Sequence, residues 1–372
     1  MNSNQELRCL SKLFLRLGST AFGGPAAHIA MMQHEVVDKR KWFTEEHFLD
    51  LIGATNLIPG PNSTEIALHI GHERAGWKGL IVAGLCFILP AVAITCLLAW
   101  LYKKYGQLPQ VQPFVYGIQP AIIAVILAAV YPLAVKSLKT PALAIIGIVV
   151  FVLSLLNFHE IYLLFGAGLF AVVVLILKKQ NTNGIFPIYV LQVPGSIILS
   201  SNLNLFLIFL KIGAILYGSG YVLFAFLDTE LVSRGLLSHE QLADAIAAGQ
   251  ITPGPVFSSV TFIGYQINGW GGAAVSTVGI FLPAFAFVAL LNPLVKKMRH
   301  SKLFAAFLDA VNVASVGLIV AVCYDIAKKS ITDWRTILIT LISLALIFWI
   351  KKLNSAWIVM FGSIAGYLLT FV

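Results

Sequence analysis

Apolar residues run through this chain in long blocks, and the lengths and interruptions of those blocks predict its elements. A helix needs about 20 apolar residues to cross a bilayer core of roughly 30 Å. Runs over 79–102, 112–135, 272–295 and 304–327 meet that length without a break. Two longer stretches, 141–177 and 336–372, divide at polar points, Leu156-Asn157 and Lys351-Lys352-Leu353-Asn354, which predicts a tight pair of short helices in each. Four more stretches are apolar but broken: 10–34 at Gly23-Gly24-Pro25, 48–72 at Pro59-Gly60-Pro61, 206–227 at Gly218-Ser219-Gly220 and 245–264 at Pro253-Gly254-Pro255. A Pro-Gly-Pro removes two donors from a helical ladder. Lone prolines such as Pro90 and Pro283 read as packing kinks. Paired breaks read otherwise, because irregular backbone survives in hydrocarbon only where it is buried in protein or lines a cavity. Thr44-Glu45-Glu46-His47 and Ser238-His239-Glu240-Gln241 have the form of helix N-caps.

The chain is duplicated. Leu15-Arg16-Leu17-Gly18 answers Leu210-Lys211-Ile212-Gly213, and Phe22-Gly23 answers Tyr217-Gly218, at an offset of 195. Asp50 and Pro59-Gly60-Pro61 answer Asp244 and Pro253-Gly254-Pro255 at 194. Ile70-Gly71, Gly76-Trp77 and Leu89-Pro90 answer Ile263-Gly264, Gly269-Trp270 and Leu282-Pro283 at 193, as Phe114 answers Phe307; further on, Phe165-Gly166 answers Phe361-Gly362. The expected organisation is a first membrane repeat over 1–179, a linker over 180–205 that is a candidate extra membrane segment, and a second repeat over 206–372.

Lys and Arg gather at the ends of the apolar runs, where they favour the cytoplasmic side. With Arg74 and Lys78 inside, Lys136, Lys139, Lys178 and Lys179 follow inside. The second half is best placed with Lys296, Lys297, Arg299, Lys302, Lys351 and Lys352 inside and Lys328, Lys329 and Arg335 outside. Equivalent loops then fall on opposite sides, although Lys103-Lys104 goes against the bias. The fold expected is an all-α polytopic membrane protein of two repeats with inverted topology, discontinuous or re-entrant helices at the breaks, and about 10–13 membrane segments. Inversion requires either that the first broken helix of each repeat crosses, or that it re-enters and the linker crosses. Basic Arg8, Lys12 and Arg16 favour re-entry.

Composition closes off other classes. The 372 residues are 59% hydrophobic and 11% charged, whereas soluble domains run near a quarter charged. The net charge of +9 sits at run ends, with no basic stripe interleaved with aromatics, so no nucleic-acid partner is expected. Cys9, Cys86, Cys96 and Cys323 have no metal-ligand spacing, and neither metal nor cofactor is expected. The N-terminus shows no uninterrupted apolar core of a signal peptide.

The breaks carry the candidate chemistry. Helices restarting after Pro25 and Pro61 would present free N–H groups and positive dipole ends, which suit an anion. The candidate binding residues are Phe22, Gly23, Gly24, Pro25 and His28; Pro59, Gly60, Pro61, Asn62, Ser63 and Thr64; Gly218, Ser219 and Gly220; and Pro253, Gly254, Pro255, Ser258 and Ser259. Arg16 and Lys211 add equivalent fixed cations, and a cation within an apolar run is a functional candidate by default. Glu65, His69 and His72 fall at i, i+4 and i+7, a metal or proton-relay spacing. The second repeat has Ser258, Phe262 and Tyr265 there, so no symmetric metal site follows, and Glu65 and His69 stand as candidates for proton coupling. Glu35 and Glu230 align across the repeats and read as helix ends, the first within a mixed-charge cytoplasmic loop over 35–47.

Phe22-Gly23-Gly24-Pro25-x-Ala27-His28, Trp42, Pro59-Gly60-Pro61, Ile70-Gly71 and Leu89-Pro90 resemble the signature of the chromate ion transporter family, in its two-repeat long form. The resemblance implies a multi-pass bacterial inner-membrane secondary transporter that exports chromate, with sulfate as a close analogue and no catalytic residues. The second half departs from the pattern at Gly218-Ser219-Gly220, which leaves selectivity open. Moving one charge across 100 mV is worth about 2.3 kcal/mol, so expelling a dianion from a negative-inside cell gains about twice that. Export driven by membrane potential, or by a proton gradient, is the expected mode. Two readings stand beside it: an importer of sulfate or another oxyanion, and an intramembrane enzyme acting on lipid phosphates, for which no HExxH, GxSxG or carboxylate cluster is found. The partners expected are the oxyanion and the lipid bilayer, with a homodimer as an open option.

Overall fold

In the computed structural model the described residues are 3–106, 108–179, 201–217, 220–298, 301–350 and 353–370. They form α1 (Ser3–Thr20), α2 (Gly24–Gln33) with a π-helical turn (His34–Lys39), α3 (Glu45–Thr55), α4 (Asn62–Tyr105), α5 (Gln112–Ser137), α6 (Pro141–Leu155) and α7 (Glu160–Lys179). The series then recurs: α8 (Ser201–Ile215), α9 (Val222–Leu227) with its π-helical turn (Asp228–Val232), α10 (His239–Ile251), α11 (Ser259–Met298), α12 (Lys302–Ser330), α13 (Trp334–Trp349) and α14 (Ser355–Leu369). Five helical stretches among the described residues are long and apolar enough to cross a membrane. The short pairs expected from 141–177 and 336–372 are α6–α7 and α13–α14. Of the linker expected over 180–205, residues 180–200 lie outside the described residues and 201–205 begin α8.

The duplication reaches the backbone angles. Within α4, Ala75 (φ −144°, ψ 26°) and Gly76 (φ 59°, ψ −147°) reverse the chain, and in α11 Asn268 (φ −139°, ψ 34°) and Gly269 (φ 58°, ψ −148°) repeat the turn. Gly76 and Gly269 occupy a positive-φ region that glycine alone adopts readily. Each long helix is therefore two: a short arm, 62–74 or 259–267, folded back on a long one, 77–105 or 270–298. The arms touch backbone to backbone, so that a Cβ on Gly71 would collide with the Gly79 carbonyl oxygen, and one on Gly264 with that of Gly272. Trp77 and Trp270, both exposed, follow the two turns, as aromatic side chains do at a membrane interface.

The helices on either side of the breaks fold back on one another as hairpins. Arg16 pairs with Glu35 at 2.6 Å and Arg40 donates to Cys9 Sγ at 3.1 Å, so α2 and its π-helical turn run back along α1. α3 enters beside them, capped by the Thr44 hydroxyl (3.2 Å from the His47 N–H), and the short arm of α4 returns. Ser238 caps α10 in the same way, reciprocally with Gln241. Of the loop expected over 35–47, the π-helical turn and α3 occupy all but 40–44, because Glu35 and Val36 are buried against α1.

Contacts between the repeats show the inversion. The first repeat's turn lies where Arg74 meets Glu6 at 3.1 Å and where Arg40 and Arg74 both stack on Trp42; this is the first face. The far end of α4 instead meets the second repeat's turn: Gln266 donates to the Ala99 carbonyl at 3.0 Å and Lys103 to the Gln266 carbonyl at 3.4 Å. This is the second face.

The remaining helices form a scaffold around α5 and α12. α5 packs on α13 and α14, and α12 on α6 and α7. Glycines allow the close approach: Gly117 meets Gly362 and Gly366 backbone to backbone, as Gly317 meets Gly147. The two sets of hairpins sit differently on this scaffold. α9 is buried throughout, as is α10 from Leu242 to Gln250, against α12, α5 and α14. Their mates α2 and α3 bury only Gly24, His28 and Met32, and Phe48, Leu51 and Thr55, chiefly against α4. Tyr217 packs on Phe165 and Phe307 of the scaffold, with centroids 6.4 and 6.5 Å away, while its mate Phe22 is exposed.

Candidate functional site

The four hairpin tips meet at the centre of the molecule and are tied reciprocally. Gly60 N–H donates to the Leu216 carbonyl at 2.8 Å, and Gly254 N–H donates to the Ala21 carbonyl at 2.9 Å. Each Pro-Gly-Pro tip of one repeat thus binds the glycine-rich tip of the other. Positive φ at Gly60 (140°) and Gly254 (93°) turns the N–H outward for these bonds. Between the tips lies a cavity of about 90 Å³, lined by Pro25, Pro61, Asn62, Ser63, Leu133, Gly220, Val256 and Phe257. At roughly 30 Å³ per water, that is room for a small solute. α2 and α4 both begin at its wall, where first-turn N–H groups have no intrahelical acceptor and the helix dipole is positive.

The expected residues divide by position. Pro25, Pro61, Asn62, Ser63 and Gly220 line the cavity; Gly218 and Ser219 lie outside the described residues. His28 is buried behind the wall and couples two tips, its ring nitrogens 3.1 Å from the Ala21 carbonyl and 3.4 Å from Ser63 Oγ. Pro59, Gly60, Pro253, Gly254 and Pro255 shape the tips. Gly24 is buried beside Tyr221, whereas Gly23 and Phe22 are exposed. Ser258 is buried and accepts from Thr95 at 3.2 Å, which also donates to Thr252 at 3.4 Å. Thr95 carried no sequence signal, being a lone hydroxyl in its apolar run, whereas Thr252 stands directly before the Pro253-Gly254-Pro255 break. Thr64, Ser259, Glu65 and His69 are buried, and among the described residues Thr64 Oγ1, Ser259 Oγ, both Glu65 oxygens and both His69 nitrogens have no hydrogen-bond partner. The Glu65 carboxyl fills the space where a Gly60 Cβ would stand.

The structure does not bring Arg16 and Lys211 to the cavity. Each neutralises a buried carboxylate on the π-helical turn of its own repeat, and the turns are what rotate those carboxylates inward. Glu35 takes Arg16, with Arg40 at 3.3 Å and Lys39 at 3.5 Å. Glu230 takes Lys211, with Arg234 at 2.5 Å. Glu35 and Glu230 are thus buried counter-ions where helix ends were expected. Arg16–Glu35–Lys39 and Lys211–Glu230–Arg234 share the offset of 195, a signal that aligning all three positions would have exposed. Among the described residues no group of His, Cys, Asp and Glu is arranged to hold a metal.

The family model described as chromate transporter matches residues 9–172 and again 203–367. The chain belongs to the chromate transporter family. Its relatives include the chromate transport protein of Cupriavidus metallidurans, 32% identical over 97% of this chain and 92% of that one. The probable chromate transport protein of Synechococcus elongatus is 30% identical over 97% and 95%. The chromate transport protein of Pseudomonas aeruginosa is 30% identical over 95% and 90%. No solved structure matches the chain. This member of the chromate transporter family is a multi-pass, two-repeat membrane protein.

Proposed function

We propose that this transporter exports chromate by exposing the tip cavity alternately to the two faces. The observation that carries the reading is the convergence of all four broken segments, from both repeats, on one cavity of about 90 Å³. A tetrahedral dianion needs donors on every side, and helix N-termini with the Asn62 and Ser63 side chains supply them without a fixed charge that would hold the ion too tightly. Lys39, Arg40, Arg74, Lys78, Lys136 and Lys139 assign the first face to the cytoplasm by the positive-inside rule. The first repeat's hairpins stand off the scaffold while the second repeat's are packed on it, which supports an inward-facing state. The opposite state would exchange the roles of Phe22 and Tyr217. Export of a dianion across 100 mV releases about 4.6 kcal/mol, at about 2.3 kcal/mol per charge.

Purified protein in liposomes, loaded with chromate and given an imposed potential, should show saturable efflux that sulfate competes for. Absence of flux for both anions would overturn the reading. Glu65 supports proton coupling as a second driving force, since an isolated carboxylate is costly in an apolar interior and its protonated form far less so. Glu65→Gln should then remove the response to a pH gradient while potential-driven flux persists. An unchanged response would assign coupling elsewhere.

A further inference from the structure

The exposed side of α1 is cationic where its repeat mate is apolar. Arg8, Lys12 and Arg16 stand at i, i+4 and i+8 on that side, followed by Ser19 and Thr20 at the tip, and all five are exposed. Their mates at offset 195 are Leu203, Leu207, Lys211, Ala214 and Ile215. Three basic residues in line do not suit a surface turned to hydrocarbon. The stripe ends in a cleft of about 510 Å³ between α1 and α2, lined by Arg16, Thr20, His34 and Glu35.

The second repeat differs at this point. There a scaffold residue reaches the corresponding carboxylate: the His159 ring lies 3.7 Å from the buried Glu230, just ahead of the start of α7. Around Arg16 no scaffold group takes that place among the described residues, and Arg16 itself is exposed. Arg16, Lys39 and Arg40 surround the single carboxylate of Glu35, which leaves an excess of positive charge there.

We propose that the α1 stripe and the Arg16 cleft form an anion access site on the first face, resting on the export reading above. A tetrahedral dianion descends along Arg8 and Lys12, replaces Glu35 as the ligand of Arg16, and passes Thr20 to the tip cavity. Among the described residues the equivalent positions of α8 hold no such stripe, with Leu203 and Leu207 in place of Arg8 and Lys12, so the two faces differ in their attraction for anions. A phosphate headgroup of a lipid has the same chemistry, and the test separates the two sources.

The test uses full-length protein with Thr20→Cys in liposomes, labelled at low salt by impermeant thiol reagents carrying a sulfonate or a quaternary ammonium, and read by peptide mass spectrometry at position 20. The sulfonate reagent should react roughly tenfold faster, at the low end of electrostatic focusing. Adding Lys12→Gln, which leaves the Arg16–Glu35 pair intact, should reduce the preference, and adding Arg16→Gln should abolish it. Sulfate, a dianion that does not oxidise thiols, should slow labelling. Ile215→Cys should show no charge preference. Equal rates for the two reagents, or a preference that survives both neutralisations, would overturn the proposal. Protection by anionic phospholipid but not by sulfate would make the stripe a lipid site and also overturn it. Labelling needs no turnover: lost flux with an intact preference would count against export alone, and intact flux without preference against the access site alone.

Discussion

Gly254→Ala tests the crossing of the hairpin tips most directly. Alanine keeps the N–H that donates to the Ala21 carbonyl, so the substitution probes space and backbone conformation alone. At φ +93° a side chain costs about 1–3 kcal/mol in backbone strain. The new Cβ would also stand 2.9 Å from Ala91 Cβ and 3.0 Å from the Gly18 carbonyl oxygen. Neither neighbour is the end of a flexible side chain, so overpacking adds about 1–3 kcal/mol. Gly76→Ala is the control, since it too places a side chain at positive φ (+59°) but with nothing within 4 Å of the new Cβ. The expected difference between the variants is the clash, about 1–3 kcal/mol. Thermal unfolding of both purified variants in one detergent, followed by tryptophan fluorescence, measures their order, and chromate efflux from liposomes shows whether the tip still works. If Gly254→Ala unfolds no earlier than Gly76→Ala and transports as well, close packing at the tip is not what holds the repeats together.

Within the scaffold, Gly117→Ala should destabilise by about 1–3 kcal/mol, because its Cβ would meet the backbone of Gly362 and Gly366, whereas Gly166→Ala, in open space, should be near neutral; equal melting temperatures would contradict the helix contact. Lys211→Met and Glu230→Gln should each destabilise, and together cost less than their sum, with a coupling of about 0.5–3 kcal/mol in a double-mutant cycle; zero coupling would mean the pair is incidental. At the α12–α13 corner, outside the membrane spans, the Tyr116 hydroxyl and the Thr336 N–H donate to Asp333 and hold its carboxyl below the ordinary value of 3.8. A depressed carboxylate stabilises fully above that value and loses its contribution as pH falls through the lower native one. Asp333→Asn should therefore flatten the acid limb of a stability profile, and an unchanged limb would remove Asp333 from it.

Local chemistry was legible in the sequence because glycine and proline act on the backbone where they stand. The four breaks, the two caps at Thr44 and Ser238, the short helix pairs and the duplication could all be read before any contact was known. The opposed loop charges likewise gave the inversion, since each charge reports on its own end of a helix. The site was legible only in outline. That Gly254 reaches Ala21 and Gly60 reaches Leu216 depends on two repeats meeting in space, and no spacing along the chain encodes it. Arg16 and Lys211 looked like free cations because their partners, Glu35 and Glu230, lie 19 residues on in each repeat, and only the π-helical turns swing those carboxylates inward. The repeats share their breaks but not the faces beside them, since Val222–Leu227 is wholly apolar where α2 carries His28 and Gln33. Which of them packs down on the scaffold and which stands off was decided by tertiary structure, because the burial of α9 and α10 rests on contacts with α12, α5 and α14, which lie far along the chain.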